Sequence, residues 1–384
     1  MAVTLRALQT AIPPTILVQD QVRDVFVAQP GLSRLAQRLV ATSFNMSGIE
    51  TRRTVISELS LEADVENPQF YDPATSELLA PSTRVRNELY IVEATKLFVE
   101  AGRLALQNCP GIEAADVTHV VTVSCTGFYA PGPDYMLVRE LGLSPSTQRY
   151  HLGFMGCYAA MPALRTAKQF VEADPNAVVL VVSAELCSLH LRTSNDPDTI
   201  VASSLFADGA AAGIVSARPP APGETALHLD VFETVITPVG EGDMAWKIGD
   251  EGFEMVLSSY VPHIIDEHIE GALTPLLAQD ATLRECIAPG GRLDVATDIA
   301  HWAIHPGGRS ILDKTEAKLE LREEQLAPSR EILRRYGNMS SATVLFVLKA
   351  IVDAPTVADG ERVCALAFGP GLTVESGLLT VARG

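Results

Sequence analysis

The stretch His151-Leu-Gly-Phe-Met-Gly-Cys-Tyr-Ala-Ala160 decides how this chain is read. It sets one thiol, Cys157, between a glycine-bearing turn and an apolar helical pattern over 158–171. Backbone N–H groups at a helix start lack intrahelical partners, and the helix dipole is positive there. Both effects favour thiolate over thiol, so the sequence predicts a nucleophile at Cys157. The competing reading is the ordinary fate of a free cysteine, a small buried hydrophobe.

Working outward, short apolar runs alternate with longer helical patterns. Residues 119–125, 177–183 and 211–216 are β-branched, uncharged and bounded by turn signals, which predicts buried strands. Residues 82–107, 134–141 and 158–173 between them predict helices. The alternation implies an α/β protein with a buried mixed sheet. At Ala217-Arg-Pro-Pro-Ala-Pro-Gly-Glu224 the proline density stops regular structure, which places a boundary between halves 1–217 and 218–384. The second half repeats the style. Strands are predicted over 227–236, 301–304, 363–368 and 372–381, and helices over 252–277, 310–319 and 340–352.

Composition narrows the function. The chain has 384 residues, 47% of them hydrophobic and 20% charged, which suits a large core. A net charge of −18 disfavours nucleic acid and anionic membrane surfaces. The six cysteines (109, 125, 157, 187, 286 and 364) form no C-x-x-C pair, which argues against a zinc site and a disulfide framework. The first residues lack the layout of a signal peptide, and no apolar run suffices to span a bilayer. The expectation is a reduced, cytoplasmic protein with no stable membrane insertion.

Two later segments supply partners for the thiol. His305 lies in Trp302-Ala-Ile-His-Pro-Gly-Gly-Arg309, at a strand end before a turn and a helix, a common position for catalytic groups in α/β folds. Asn338 lies in Tyr336-Gly-Asn-Met-Ser-Ser341, ahead of a helix that Asn or Ser could cap. If Ser340 or Ser341 caps it, the Asn amide is left free to donate elsewhere. Together they form a coherent chemical set: a thiolate to attack a thioester, an imidazole to stabilise it, and two N–H donors for an enolate or oxyanion. That set suits decarboxylative carbon–carbon bond formation from a malonyl thioester.

These segments resemble the type III polyketide synthases, the chalcone-synthase-like branch of the thiolase superfamily. The resemblance rests on Gly156-Cys157, Leu205-Phe-Ala-Asp-Gly-Ala-Ala-Ala212, Trp302-Ala-Ile-His-Pro-Gly-Gly308, Tyr336-Gly-Asn-Met-Ser-Ser-Ala342 and Ala367-Phe-Gly-Pro-Gly-Leu-Thr-Val-Glu375. It implies a five-layered αβαβα thiolase-like fold built from two similar halves, in a homodimer. It also implies acyl-CoA and malonyl-CoA as substrates, with no metal and no further cofactor. Cys157, His305 and Asn338 take the catalytic places, Phe206 and Met255 the gatekeeper places, and Phe368, Gly369, Pro370 and Gly371 the cyclisation loop. His190, Trp246 and Ser340 belong to the pocket by the same resemblance. The basic residues that bind coenzyme A in plant members are not reproduced, which leaves Arg34, Arg38, Arg52 and Arg53 as candidates.

Thr126, Ala130 and Cys187 are similar to residues lining an acyl tunnel in bacterial long-chain alkylpyrone synthases. The expectation is a long-chain starter loaded on Cys157, extended with malonyl-CoA and cyclised to an alkylpyrone or alkylresorcinol. The rivals are a single-condensation β-ketoacyl-acyl-carrier-protein synthase III and a catalytically idle lipid-binding protein.

Overall fold

The strand Val178–Leu186 is buried at every residue, as is its neighbour Asp208–Ser216. Strands with no exposed side must be covered on both faces. A computed structural model, describing residues 2–60, 65–287 and 298–384, shows how. Nine strands form one continuous sheet. In order across it they are His301–Ile304, Arg362–Gly369, Thr373–Arg383, Thr225–Ile236, Thr4–Ala11, Asp208–Ser216, Val178–Leu186, His119–Ser124 and Gln148–Gly153.

The sheet is a duplication. In the first half, His119–Ser124 runs parallel to Val178–Leu186, followed by antiparallel Asp208–Ser216 and Thr4–Ala11. In the second, His301–Ile304 runs parallel to Arg362–Gly369, followed by antiparallel Thr373–Arg383 and Thr225–Ile236. The halves are stitched by a short antiparallel register, Thr4 opposite His228 and Leu5 opposite Leu227.

Two helices fill the space between the halves. Thr343–Val352 is apolar almost all round, the signature of a helix with no solvent face, and its residues from Thr343 to Leu348 are buried. Ala160–Ala173 turns Met161, Ala163, Leu164, Ala167 and Val171 inward. Both belong to one apolar cluster with strands of both halves, including Val121, Val181, Ala303 and Leu379. Helix Thr83–Gln107 covers the outer face of the first half through Tyr90, Phe98 and Ala101, against Leu180 and Ile214. Helices Val261–Leu277 and Arg309–Lys318 cover the outer face of the second. The layers are therefore helix, sheet, helix, sheet, helix, as expected.

Two local expectations change. The helix predicted over 252–277 is two elements. Gly252–Leu257 is a strand, paired antiparallel with Met244–Gly249 so that Met255 lies opposite Trp246. Phe253, Met255 and Leu257 alternate with Glu254 and Val256, a period of two, and the helix begins only at Val261 with Pro262 in its first turn. The helix after Cys157 starts at Ala160, so the thiol lies in the turn ahead of it rather than in its first turn.

Candidate active site

Cys157 is placed by a turn that only glycine fits easily. Gly156 sits at φ +78°, and the Ala159 N–H closes the turn on the Gly156 carbonyl at 3.1 Å. The Met161 N–H then bonds to Tyr158 O at 2.9 Å, and the central helix begins. The thiol is 8% exposed.

His305 follows the strand His301–Ile304. Its N–H bonds to Leu366 O at 2.7 Å, and its carbonyl accepts from Gly307 N at 2.9 Å, so the backbone is pinned on both sides. The side chain is buried, and neither ring nitrogen has a hydrogen-bond partner. Buried polar groups are nearly always paired, so two orphaned nitrogens on one residue stand out.

Asn338 reconciles the capping and catalytic readings. Its backbone is strung to the residues just ahead of the strand Asp208–Ser216: Asn338 N donates to Leu205 O and Ala207 N donates to Asn338 O, both at 2.9 Å. Its side-chain oxygen accepts from Ser340 N at 2.8 Å, a local turn that precedes the central helix. This contact fixes the amide orientation. Nδ2 then donates to Gly307 O at 3.1 Å, on the loop that follows His305. An amide nitrogen carries two hydrogens, and one of them remains for a ligand.

The three residues line one cavity of about 40 Å³, together with Phe206, Met244, Met255, Leu257, Gly307 and Phe368. A second cavity of about 20 Å³ lies beyond Phe206 and Met255, which border both, and it is lined by Cys187, His190, Ala202, Trp246 and Phe253. The two predicted gatekeepers thus stand between the thiol's space and a neighbouring pocket. A cleft of about 450 Å³ shares Leu257, Gly307 and Ile311 with the catalytic cavity, and Ser43, Ser47, Arg309 and Lys314 also line it.

Burial dominates the electrostatics. It pushes the Cys157 thiol up to about 11; hydrogen bonds from Ser340 and Asn338 act against this, while the charge of Glu185 adds to it. Burial pushes the His305 imidazolium down to about 3. A lone thiolate or a lone imidazolium is costly in such an apolar pocket. A proton passing from sulfur to ring nitrogen creates both charges at once and leaves the net charge unchanged, so the pair is charged together or not at all. The helix start does not set the thiol's state by itself, because desolvation outweighs it.

The other pocket residues divide. Cys187, His190 and Trp246 line the second cavity. His190 Nδ1 accepts from Phe253 N at 2.9 Å, so the proton lies on Nε2, which donates to Thr126 O at 2.8 Å. Trp246 Nε1 donates to Cys125 O at 2.7 Å. The Thr126 hydroxyl does not face open space: it donates to Glu185 at 2.9 Å and accepts from Leu186 N at 2.9 Å. Ala130 is exposed and lines neither cavity of its own chain. Phe368 lines the catalytic cavity, while Pro370 packs on Gly156.

Of the proposed coenzyme A cations, Arg52 is unavailable. It is fully buried, bonding Gln19, Ser203 O and Phe206 O, the last at 2.6 Å, and so supports the backbone at Phe206. Arg53 donates to Pro14 O, and neither Arg34 nor Arg38 lines the cleft, where Arg309 and Lys314 stand instead.

Sequence reasoning missed Glu185. It is fully buried and accepts from Ser124, Cys125 N, Thr126 and Ser341. Cys125 Sγ lies 3.4 Å from Ser340 Oγ, so this network reaches the serine that bonds the Cys157 sulfur. A carboxylate inside an otherwise uncharged strand was the available signal. Among the described residues no group of His, Cys, Asp and Glu could hold a metal ion, and no helix is long and apolar enough to cross a membrane.

Residues 2–219 match the model for chalcone and stilbene synthases, N-terminal domain, and 228–382 match the C-terminal domain. Among solved structures, the chain is similar to PKS-I from the brown alga Ectocarpus siliculosus. The TM-score is 0.87 with 28% identity over 99% of this chain and 98% of that one. It is also similar to the C-terminal type III polyketide synthase domain of Steely1, a type I/III hybrid from Dictyostelium. There the TM-score is 0.86 with 29% identity over 99% of both chains.

Proposed function

The chain belongs to the chalcone and stilbene synthase family, the type III polyketide synthases, and within it we propose an enzyme that starts from a long-chain fatty acyl-CoA. Members of the family are malonyl-CoA-dependent acyltransferases that act on coenzyme A thioesters without an additional cofactor. The reading rests on one observation: Cys157, His305 and Asn338 line a single buried, otherwise apolar cavity.

His305 takes the Cys157 proton as sulfur attacks the starter thioester, and coenzyme A leaves with a proton. The acyl group is then held on sulfur. Malonyl-CoA enters by the cleft at Ser43, Arg309 and Lys314, where the two cations meet its phosphates. Loss of CO₂ leaves an enolate. The free Asn338 N–H and a His305 ring N–H hold its oxygen, while its carbon attacks the Cys157 thioester and expels the thiolate. Repetition, then ring closure, gives an alkylpyrone or alkylresorcinol.

A slim thiol at Cys187 and a methyl group at Ala202 beyond the Phe206–Met255 border favour an aliphatic starter. A homodimer and two functional halves meeting near 217–218 belong to the same proposal. The sheet ends at Gln148–Gly153, a strand exposed along most of its length, and Tyr150, Phe154, Phe128 and Tyr135 stand exposed near it in sequence. Unpaired edges with aromatic cover are what a second copy would bury. The reduced, cytoplasmic setting is consistent with five free, buried thiols among the described residues.

The test is mass spectrometry of products from acetyl-, hexanoyl-, lauroyl-, palmitoyl- and 4-coumaroyl-CoA with malonyl-CoA. Palmitoyl or lauroyl products are expected to dominate. A parent enzyme that prefers the aromatic or two-carbon starter overturns the long-chain reading. Cys187→Phe is expected to shift the optimum toward hexanoyl-CoA.

A further inference from the structure

Asn338 is placed through its backbone, and that backbone hangs on the end of one helix. Helix Pro197–Leu205 ends on carbonyls that have no N–H ahead of them within the helix. Each is taken from elsewhere in the chain. Ser203 O accepts from Arg52 Nη1 at 2.9 Å, Ser204 O from Gln19 Nε2 at 2.7 Å, and Leu205 O from the Asn338 N–H at 2.9 Å. Arg52 Nη1 also donates to Phe206 O, and Arg52 Nε donates to Gln19 Oε1 at 3.0 Å, so the two side chains form one clamp. We propose that Arg52 is a positioning residue for the carbon–carbon bond-forming step: it holds the chain at 203–206 against the Asn338 backbone and so aims the Asn338 amide at the enolate. The proposal rests on the enolate role given to Asn338 above.

Arg52 acts only through other residues, because it is 0% exposed and lines neither cavity. All three of its acceptors are uncharged carbonyl oxygens, and its Nη2 has no partner. Burial lowers its pKa to about 10, which leaves it a cation at neutral pH. A buried cation with no acid bonded to it is costly. The negative end of the helix dipole offsets part of that cost. An apolar side chain over Phe44 would avoid the rest but leave the carbonyls at 203 and 206 unpaired. The charge therefore serves to fix these carbonyls.

Gly337 supplies an independent observation. It sits at φ +70°, and a Cβ built on it would lie 2.8 Å from Arg52 Cγ and 2.9 Å from Leu205 O. The arginine stem thus packs on the residue just before Asn338, while its guanidinium holds the facing segment. Between them lies the parallel bridge of Phe206 with Asn338, and both of these residues line the cavity of Cys157. Cys157 and His305 stand on other elements, the turn at Gly156 and the end of strand His301–Ile304. A shift of the bridge moves the enolate donor and spares the loading pair.

The experiment uses the intact enzyme and Arg52→Lys, whose single ammonium cannot fork between three carbonyls. The kcat for acetyl-CoA release from malonyl-CoA is expected to fall about a hundredfold, the effect of a misplacement near 1 Å. The KM for malonyl-CoA should hold, because Arg309 and Lys314 are untouched, and loading of labelled hexanoyl-CoA on Cys157 should fall far less. Gln19→Met keeps Arg52 but removes its anchor at Nε. It is expected to show the same split more weakly, and it decides the matter if Arg52→Lys does not fold. Equal falls in release and loading, or release at the parent rate, overturn the assignment. Asn338→Ala is measured beside them. If it also releases acetyl-CoA at the parent rate, the enolate role itself fails. If it loses release while Arg52→Lys and Gln19→Met keep it, only the role of Arg52 fails.

Discussion

Gly156 and Pro370 meet so closely that a Cβ built on Gly156 would lie 2.6 Å from Pro370 Cδ. The turn that presents Cys157, from the first half, is thus seated on the 368–371 loop of the second. Phe368, two residues before Pro370, lines the catalytic cavity, so one contact fixes thiol and pocket wall together.

Gly156→Ala is therefore expected to lose about 1–3 kcal/mol, from positive φ alone, with a further steric cost. Urea unfolding measures this, and labelled acyl-CoA measures the loading that should fall with it. Adding Pro370→Ala should return the steric part of the loss and leave the φ part. A double variant no better than Gly156→Ala would show that Pro370 does not bear on the turn.

His305→Ala removes the only group proposed to take charge together with Cys157. Thiolate is the charged form, burial disfavours it, and the thiol alone titrates at about 11. Alkylation of Cys157 by iodoacetamide near neutral pH should then slow sharply and recover only as pH rises toward that value. In the parent enzyme the reaction should already run at neutral pH. An unchanged profile would mean that His305 does not govern the thiol.

Asn338→Asp separates the two halves of that side chain. The carboxylate can still accept from Ser340 N and so keep the turn, but it has no N–H for an enolate. Release of acetyl-CoA from malonyl-CoA should fall about a hundred- to a thousandfold. Starter loading on Cys157 should fall far less. Equal losses in both assays would make the residue structural.

Glu185→Ala leaves Ser124, Cys125 N, Thr126 and Ser341 without their shared acceptor, at about 1–3 kcal/mol for each donor left unpaired. A large drop in melting temperature is expected, with part of it regained by Glu185→Gln. Burial raises the Glu185 pKa above its usual 4.5, so the folded state holds this proton more tightly than the unfolded chain. The contribution is present below the unfolded value and is lost as pH rises through the folded one. The stability advantage of the parent over Glu185→Gln should accordingly widen as pH is lowered from neutral.

Much of the architecture was legible because its signals are local. Apolar β-branched runs marked His119–Ser124, Val178–Leu186 and Arg362–Gly369 to within a few residues. Ser82 ahead of Thr83–Gln107 gave a helix start that the structure confirms with a bond from Val85 N to its hydroxyl. The strand Gly252–Leu257 was hidden because its apolar residues ran on into a genuine helix, with no proline or glycine between them until Pro262. Arg52 was misjudged because an arginine in sequence reads as a surface cation. Its burial follows from a pairing of Leu17 with Arg52 and from carbonyls at positions 203 and 206. Contacts so distant along the chain leave no local trace. The thiol's charge state was misread for a related reason: a dipole can be inferred from a helix start, but the desolvating walls come from Phe206, Met255 and Phe368.

The distribution of the site over both halves has a consequence for the protein's synthesis. When Cys157 leaves the ribosome, Thr343–Val352 and the His305 and Asn338 loops have yet to be made. Domains tend to fold from the N-terminus as they emerge, but here the space between the halves cannot close on one helix alone. Until the last third of the chain arrives, Cys157 lacks His305, Asn338 and the buried cavity that the three line together. On the roles proposed for these residues, acyl capture by Cys157 begins only when the polypeptide is nearly complete.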